Sequence, residues 1–249
     1  MHARELEPEL ERLLLRVVPD LDKRWRGADD HEIEHIEQLA GGPLPRCYKW
    51  FLARMGHDMG PLAFDSLDFS VAAVLRARAE KLFAEPHLLL IAYETNEAMP
   101  LHMLYDLSIR SLDDALVTKR HMRGGAFHPQ FDGLRELLGW GALSKWRVGT
   151  SEQQCVGLLA DEDGEVVSRL VPVMTSLGFT SPFVTGEHCS LFERADATLI
   201  TSAIPNEPAT RHIFRIGGRD RGVLRSVLGE SALLTSLRQV IHEWTPPLP

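Results

Sequence analysis

The sequence is poor in cysteine: Cys47, Cys155 and Cys189 are the three present, with no C-x-x-C spacing. An odd, scattered set makes no disulfide framework, so these residues read as small, partly buried side chains in a reducing compartment. No apolar run is long enough for a transmembrane helix, and the opening MHARELEPELERLLLRVV is too charged for a signal peptide. The expectation is a cytoplasmic protein. A basic excess is missing too. With 27 Lys and Arg against 35 Asp and Glu, the net charge of −8 argues against a general nucleic-acid binder and fits a partner that is itself basic. No G-x-S-x-G occurs, and no Ser or Cys stands in a context that marks a nucleophile.

What is there is ordinary globular composition, 44% hydrophobic and 25% charged over 249 residues, enough for one large domain or two small ones. The acid excess is even, −4 in residues 1–150 and −4 in 151–249. Leu6, Leu10, Leu13, Leu14, Val17 and Val18 recur at helical spacing, which predicts a helix over 5–18 ended by Pro19. A second helix, capped by Asp29 or Asp30, runs to about Ala40, where Gly41 and Gly42 halt it.

That helix contains HEIEH at 31–35, the H-E-x-x-H pattern of zinc hydrolases, with His31 and His35 as ligands and Glu32 as general base. At ~100° per residue, His31 and His35 lie about 160° and 200° from Ile33. Ile36, Leu39 and Ala40 fall within one sector centred at about 310°. The apolar stripe decides which side is buried, so both imidazoles are expected to face water, and no metal or cofactor is assigned. A zinc hydrolase built on HEIEH stands as an alternative.

Leu44-Pro45 opens a third helix, in which Tyr48, Phe51, Leu52 and Met55 form a buried stripe and Gly56 supplies a stop. Residues 60–69 read as a short strand or extended stretch and 71–83 as a helix. Strands follow at 87–94, 101–108 and 115–122, with short polar connections that favour an antiparallel meander. Residues 127–143 are expected as a closing helix, with Phe131, Leu134, Leu137 and Leu138 on one side.

This succession resembles the SUKH superfamily, also called the cell-wall assembly regulator family. The stretch I33-x-x-I36-E37-x-L39, then L44-P45-x-x-Y48-x-x-F51-L52 with Gly56, is similar to the family's helix, "LP", aromatic, "FL" and Gly opening. LDFSVAAVLRARAE, LLLIAYETNEAMPLHMLYDL, ALVTKRH and F131-x-x-L134-x-x-L137-L138 resemble the remainder, so the likeness covers about 29–143. Two loops depart from the family pattern: Met55-Gly56 stands for its Asn-Gly, and Thr95-Asn96-Glu97 for its Gly-rich turn. The resemblance implies a binding module with no catalytic residues. Bacterial members are immunity proteins that block secreted toxins, often nucleases or deaminases with basic clefts. A regulatory or scaffold binder, like the fungal relatives, is the alternative within the same fold. Blocking a basic cleft calls for carboxylates on a preformed surface. The candidates near the strand loops are Asp65, Asp68, Glu94, Glu97 and Asp106.

Residues 150–249 lie outside the resemblance. After a polar spacer at 149–154, a helix is expected over 165–179 with Pro172 as a kink or break. Strands follow at 188–194, 197–204 and 211–218, and one or two helices over 221–244. IGGRDRG (216–222) lacks the P-loop Lys-Ser/Thr and the G-x-G-x-x-G spacing, so it reads as a strand-to-helix connection. DEDGE (161–165) lacks the remaining calcium-loop ligands and reads as a solvated turn. The expectation is an α+β protein: a SUKH-like binding domain over 1–148 with an antiparallel sheet and flanking helices, and a small α-β-β-β-α domain or extension over 149–249.

Overall fold

The leucine stripe near the start becomes α1 (Pro8–Val17), in which Leu10 and Leu14 are wholly buried. Burial of that kind stabilises by about 1.5–3 kcal/mol per side chain. The computed structural model describes residues 3–80, 82, 85–98, 100–111, 114–121, 123–204 and 210–247. It divides into two units, Met1–Arg135 and Glu136–Pro249. Its class is α+β, with eight α-helices and two five-stranded antiparallel sheets among the described residues. Among the described residues no helix is long and apolar enough to cross a membrane.

In the first unit α1 leads through a short α2 (Leu21–Arg24) to α3 (Asp30–Ala40) and α4 (Arg46–Met55). Asp29 caps α3: its side chain accepts from Glu32 N at 2.9 Å, while Glu32 Oε2 accepts from Asp29 N at 3.0 Å. Gly41, at φ 72°, ends the helix in the left-handed conformation that glycine adopts without a Cβ penalty. Seven of the ten residues of α4 are buried, which makes it the core helix of this unit. Tyr48 meets Tyr105 edge-on at 5.4 Å, and Phe51 meets Phe69 at 5.9 Å. Gly56 does end α4, but in right-handed backbone. What demands glycine there is crowding, since a Cβ would lie 2.6 Å from Leu52 O and 2.9 Å from Ala28 Cβ.

The sheet follows chain order, β1 (Leu67–Asp68), β2 (Leu88–Glu94), β3 (Leu101–Ser111), β4 (Asp114–His121) and β5 (His128–Phe131), with α5 (Val71–Ala79) between β1 and β2. The expected meander is therefore present, with one correction. The short strand expected within 60–69 is two residues long, after a 3₁₀ turn at Gly60–Leu62. The helix expected over 127–143 begins at Leu134 as α6 (Leu134–Leu143), because His128–Phe131 pair with β4 instead.

Asp114 fixes the join between β4 and α6. It is 5% exposed and accepts from Tyr105 Oη at 2.9 Å, its neighbour Ala115 N at 3.0 Å and Leu134 N at 2.8 Å. Burial pushes its carboxyl up to about 6, although these donors pull the other way. Nearby, buried Glu7 pairs with Arg135.

The second unit contains β6 (Gln153–Ala160), α7 (Val166–Ser176), β7 (Cys189–Glu193), β8 (Ala197–Ala203), β9 (Arg211–Gly218), α8 (Arg221–Thr235) and β10 (Arg238–Thr245). The three expected strands are β7, β8 and β9. The α-β-β-β-α order needs correcting to β-α-β-β-β-α-β, because β6 and β10 flank it. The spacer at 149–154 already holds the first residues of β6, and 238–244 is strand, not helix. α7 runs unbroken through Pro172. Strand order is β10-β6-β9-β8-β7. Leu170 and Met174 of α7 and Leu224, Val227 and Leu228 of α8 pack on Cys155, Leu159, Leu199, Phe214 and Ile216 of one sheet face. Gly157 is dictated by this packing, for a Cβ there would lie 2.3 Å from Val240 O and 2.5 Å from the Phe214 ring.

Candidate functional site

Strand pairing brings four of the five candidate acids to one end of the first sheet. Leu67 pairs with Glu94 and Asp68 with Tyr93, so the turn carrying Asp65 lies beside the turn carrying Glu97. Asp65 and Glu97 are exposed and Asp68 is half-buried. Asp106 is elsewhere. It pairs with Leu88, six residues down β2 from Glu94, which is about 20 Å along a strand.

Glu94 is held firmly. It is 8% exposed, and its carboxylate accepts from Ser66 Oγ at 3.2 Å and Asn96 N at 2.9 Å. Its own N–H donates to His102 Nδ1 at 3.0 Å. That bond leaves Nδ1 as the acceptor of a neutral ring. Burial lowers the His102 pKa, partly offset by the Glu94 carboxylate. Burial likewise lowers the Lys119 pKa, with Glu94 again opposing. Thr95 ties the two turns together, donating from N at 2.8 Å and from Oγ1 at 3.0 Å to Ser66 O. Asp68 accepts from Ser70 N at 2.9 Å, and Ser70 in turn caps α5 through Ala73 N at 3.2 Å.

Asp65 and Glu97 thus present carboxylates to solvent on turns fixed from below, an arrangement suited to a cationic partner surface. Glu94 and Asp68 spend much of their acceptor capacity on the fold and act as its supports. Asp106 does the same locally, accepting from Ser108 N at 3.0 Å and Ser108 Oγ at 2.5 Å. Ser66 and His102 escaped sequence reasoning. Their role follows from the pairing of Leu67 with Glu94, which no local pattern announces.

The HEIEH segment lies on α3 with His31 and His35 exposed, on the side expected from the helical wheel. Glu32 closes the capping box with Asp29, and its Oε2 lies 2.9 Å from His57 Nε2. Among the described residues, His31, Glu32 and His35 belong to no set of three or more His, Cys, Asp or Glu with ligand atoms within 4.8 Å of one another. Of the three, Glu32 serves to start the helix, as the partner of Asp29 in its cap.

Comparison of the chain with protein-family profiles, with curated proteins and with solved structures returned no match.

Proposed function

We propose that the chain is a protein-binding immunity protein that neutralises a cognate toxin by covering its active site. The observation that carries this reading is the acidic end of the first sheet, where Asp65 and Glu97 are exposed on turns braced by Glu94, Ser66 and Thr95. Braced carboxylates meet a basic cleft with little ordering cost, and their field speeds encounter. The likeness of residues 29–143 to a family of such binders points the same way.

The test is co-expression with the C-terminal domain of a secreted toxin encoded beside this chain, read as cell survival and as affinity of the purified pair. Survival, with a stable complex, is the expected result. Asp65→Lys with Glu97→Lys lowers affinity at least tenfold, mostly through slower association at low salt, whereas Asp106→Lys leaves it unchanged. A chain that binds the domain and leaves the cells unprotected is a regulatory or scaffold binder. A chain that does not bind it ends the proposal.

A further inference from the structure

The second sheet has an outward face whose composition is unusual for one facing water. Residues paired across neighbouring antiparallel strands share a face, and successive residues alternate between faces. Cys155, Gly157, Leu159, Phe214 and Ile216 look toward α7 and α8. The opposite face therefore carries two adjoining rows: Val240, Leu158 and Ile213, then Glu243, Val156 and Arg215. A third row adds Arg238, Ala160 and Arg211. A solvated antiparallel face is normally polar at these positions. Here Val156, Leu158, Ile213 and Val240 form a half-exposed aliphatic strip, while Arg211, Arg215 and Arg238 are exposed around it. Toward β8 and β7 the same face is covered: Arg215 lies over the Trp140 ring at 5.7 Å and reaches Ser144 Oγ at 3.4 Å, and Gly139 is crowded by Phe183 and Leu191. The half-exposed strip is three strands wide, about 10–15 Å, which is the diameter of one α-helix with its side chains.

We propose that this strip is a docking surface for an amphipathic helix of a partner protein, one that carries acidic residues beside its apolar stripe. Charge complementarity selects the occupant. Three arginines against Glu243 make the strip locally cationic in a chain of net charge −8. The strip holds aliphatic side chains in place of aromatic rings, so it offers no platform for stacked bases, and a protein helix fits better than a nucleic acid. The surface belongs to the second unit and takes a partner of opposite charge to the one proposed for the acidic turns of the first.

The experiment is a methyl NMR titration of the full chain with a synthetic helical peptide bearing a leucine stripe flanked by glutamates. A lysine-flanked counterpart and a thymidine oligonucleotide serve as comparison probes. The expected result is saturable shifts of the Val156, Leu158, Ile213 and Val240 methyls with the acidic peptide, weakened by raised salt. Arg215→Glu with Arg238→Glu reduces the affinity at least tenfold. Arg238→Gln, which adds no repulsion, reduces it by a smaller factor and guards against a double variant that misfolds. Absence of saturable shifts, equal response to the lysine peptide, or preference for the oligonucleotide overturns the proposal.

Discussion

The two sheets have the same number of strands and the same antiparallel pairing, yet they are threaded differently. In the first, neighbours in space are neighbours in sequence, β1 through β5. In the second, β6 lies between β9 and β10, so Gln154 pairs with Gly217 on one side and Thr245 on the other. Both units bury polar groups: the first ties the Asp114 carboxylate into Tyr105 and the start of α6, and the second buries Asp161, His188, Thr201 and His212 while packing two helices on an apolar sheet face. Long-range threading makes the second sheet depend on closing longer loops before its strands can pair.

The largest expected effect comes from emptying each core in turn. Phe51→Ala in the first unit and Phe214→Ala in the second, both fully buried, should each cost about 3–5 kcal/mol. Hydrogen exchange should show the loss confined to the unit carrying the substitution. Equal loss in both units would dissolve the contrast drawn above.

A pH series sharpens it. The Asp114 carboxyl titrates near 6 in the fold against an ordinary 3.8. A folded value above the unfolded one means that its contribution is complete below about pH 4 and disappears as pH rises through 6. The contribution of Asp114 should therefore fall by on the order of 2–3 kcal/mol between pH 4 and 7, opposed within the same unit by His102, whose lowered pKa favours the fold as pH rises. Asp114→Asn should flatten that slope, and thermal unfolding followed unit by unit reads it. An unaltered slope in that variant would contradict the assignment. The smallest expected effect is Asp29→Ala, which removes the cap of α3 and should cost about 1 kcal/mol while leaving both sheets intact. Calorimetry of the purified variant checks it.

The difference in threading also explains what was legible in the sequence. α1, α3 and α4 were readable because each has one apolar stripe and an evident start or stop, and β2, β3 and β4 because short polar turns separate apolar runs. β6 was hidden: Val156 and Leu158 on one face and Cys155 and Leu159 on the other remove the alternation that marks a strand with one face in water. β10 was hidden for another reason. α8 stops at Ser236, a left-handed residue at φ 59°, with Thr235 Oγ1 accepting from Leu237 N at 3.2 Å. No glycine or proline announced the stop, so 238–244 read as more helix. At the candidate site the acids were visible as types, but their division into exposed contacts and internal supports was not. Glu94 and Asp106 look equivalent in sequence, and only strand register separates them by the length of β2.

The position of β6 has a consequence for synthesis on the ribosome. The first sheet gains a finished edge with every strand that emerges, so it can form progressively as the chain is extruded. β6 has neither neighbour until β9 and then β10 have been made, and its ladder groups must meanwhile be hydrated or shielded by other proteins. Translation that stalls between residues 160 and 211 would release a chain whose first half is native and whose second half displays a bare strand, the kind of species that chaperones and proteases recognise.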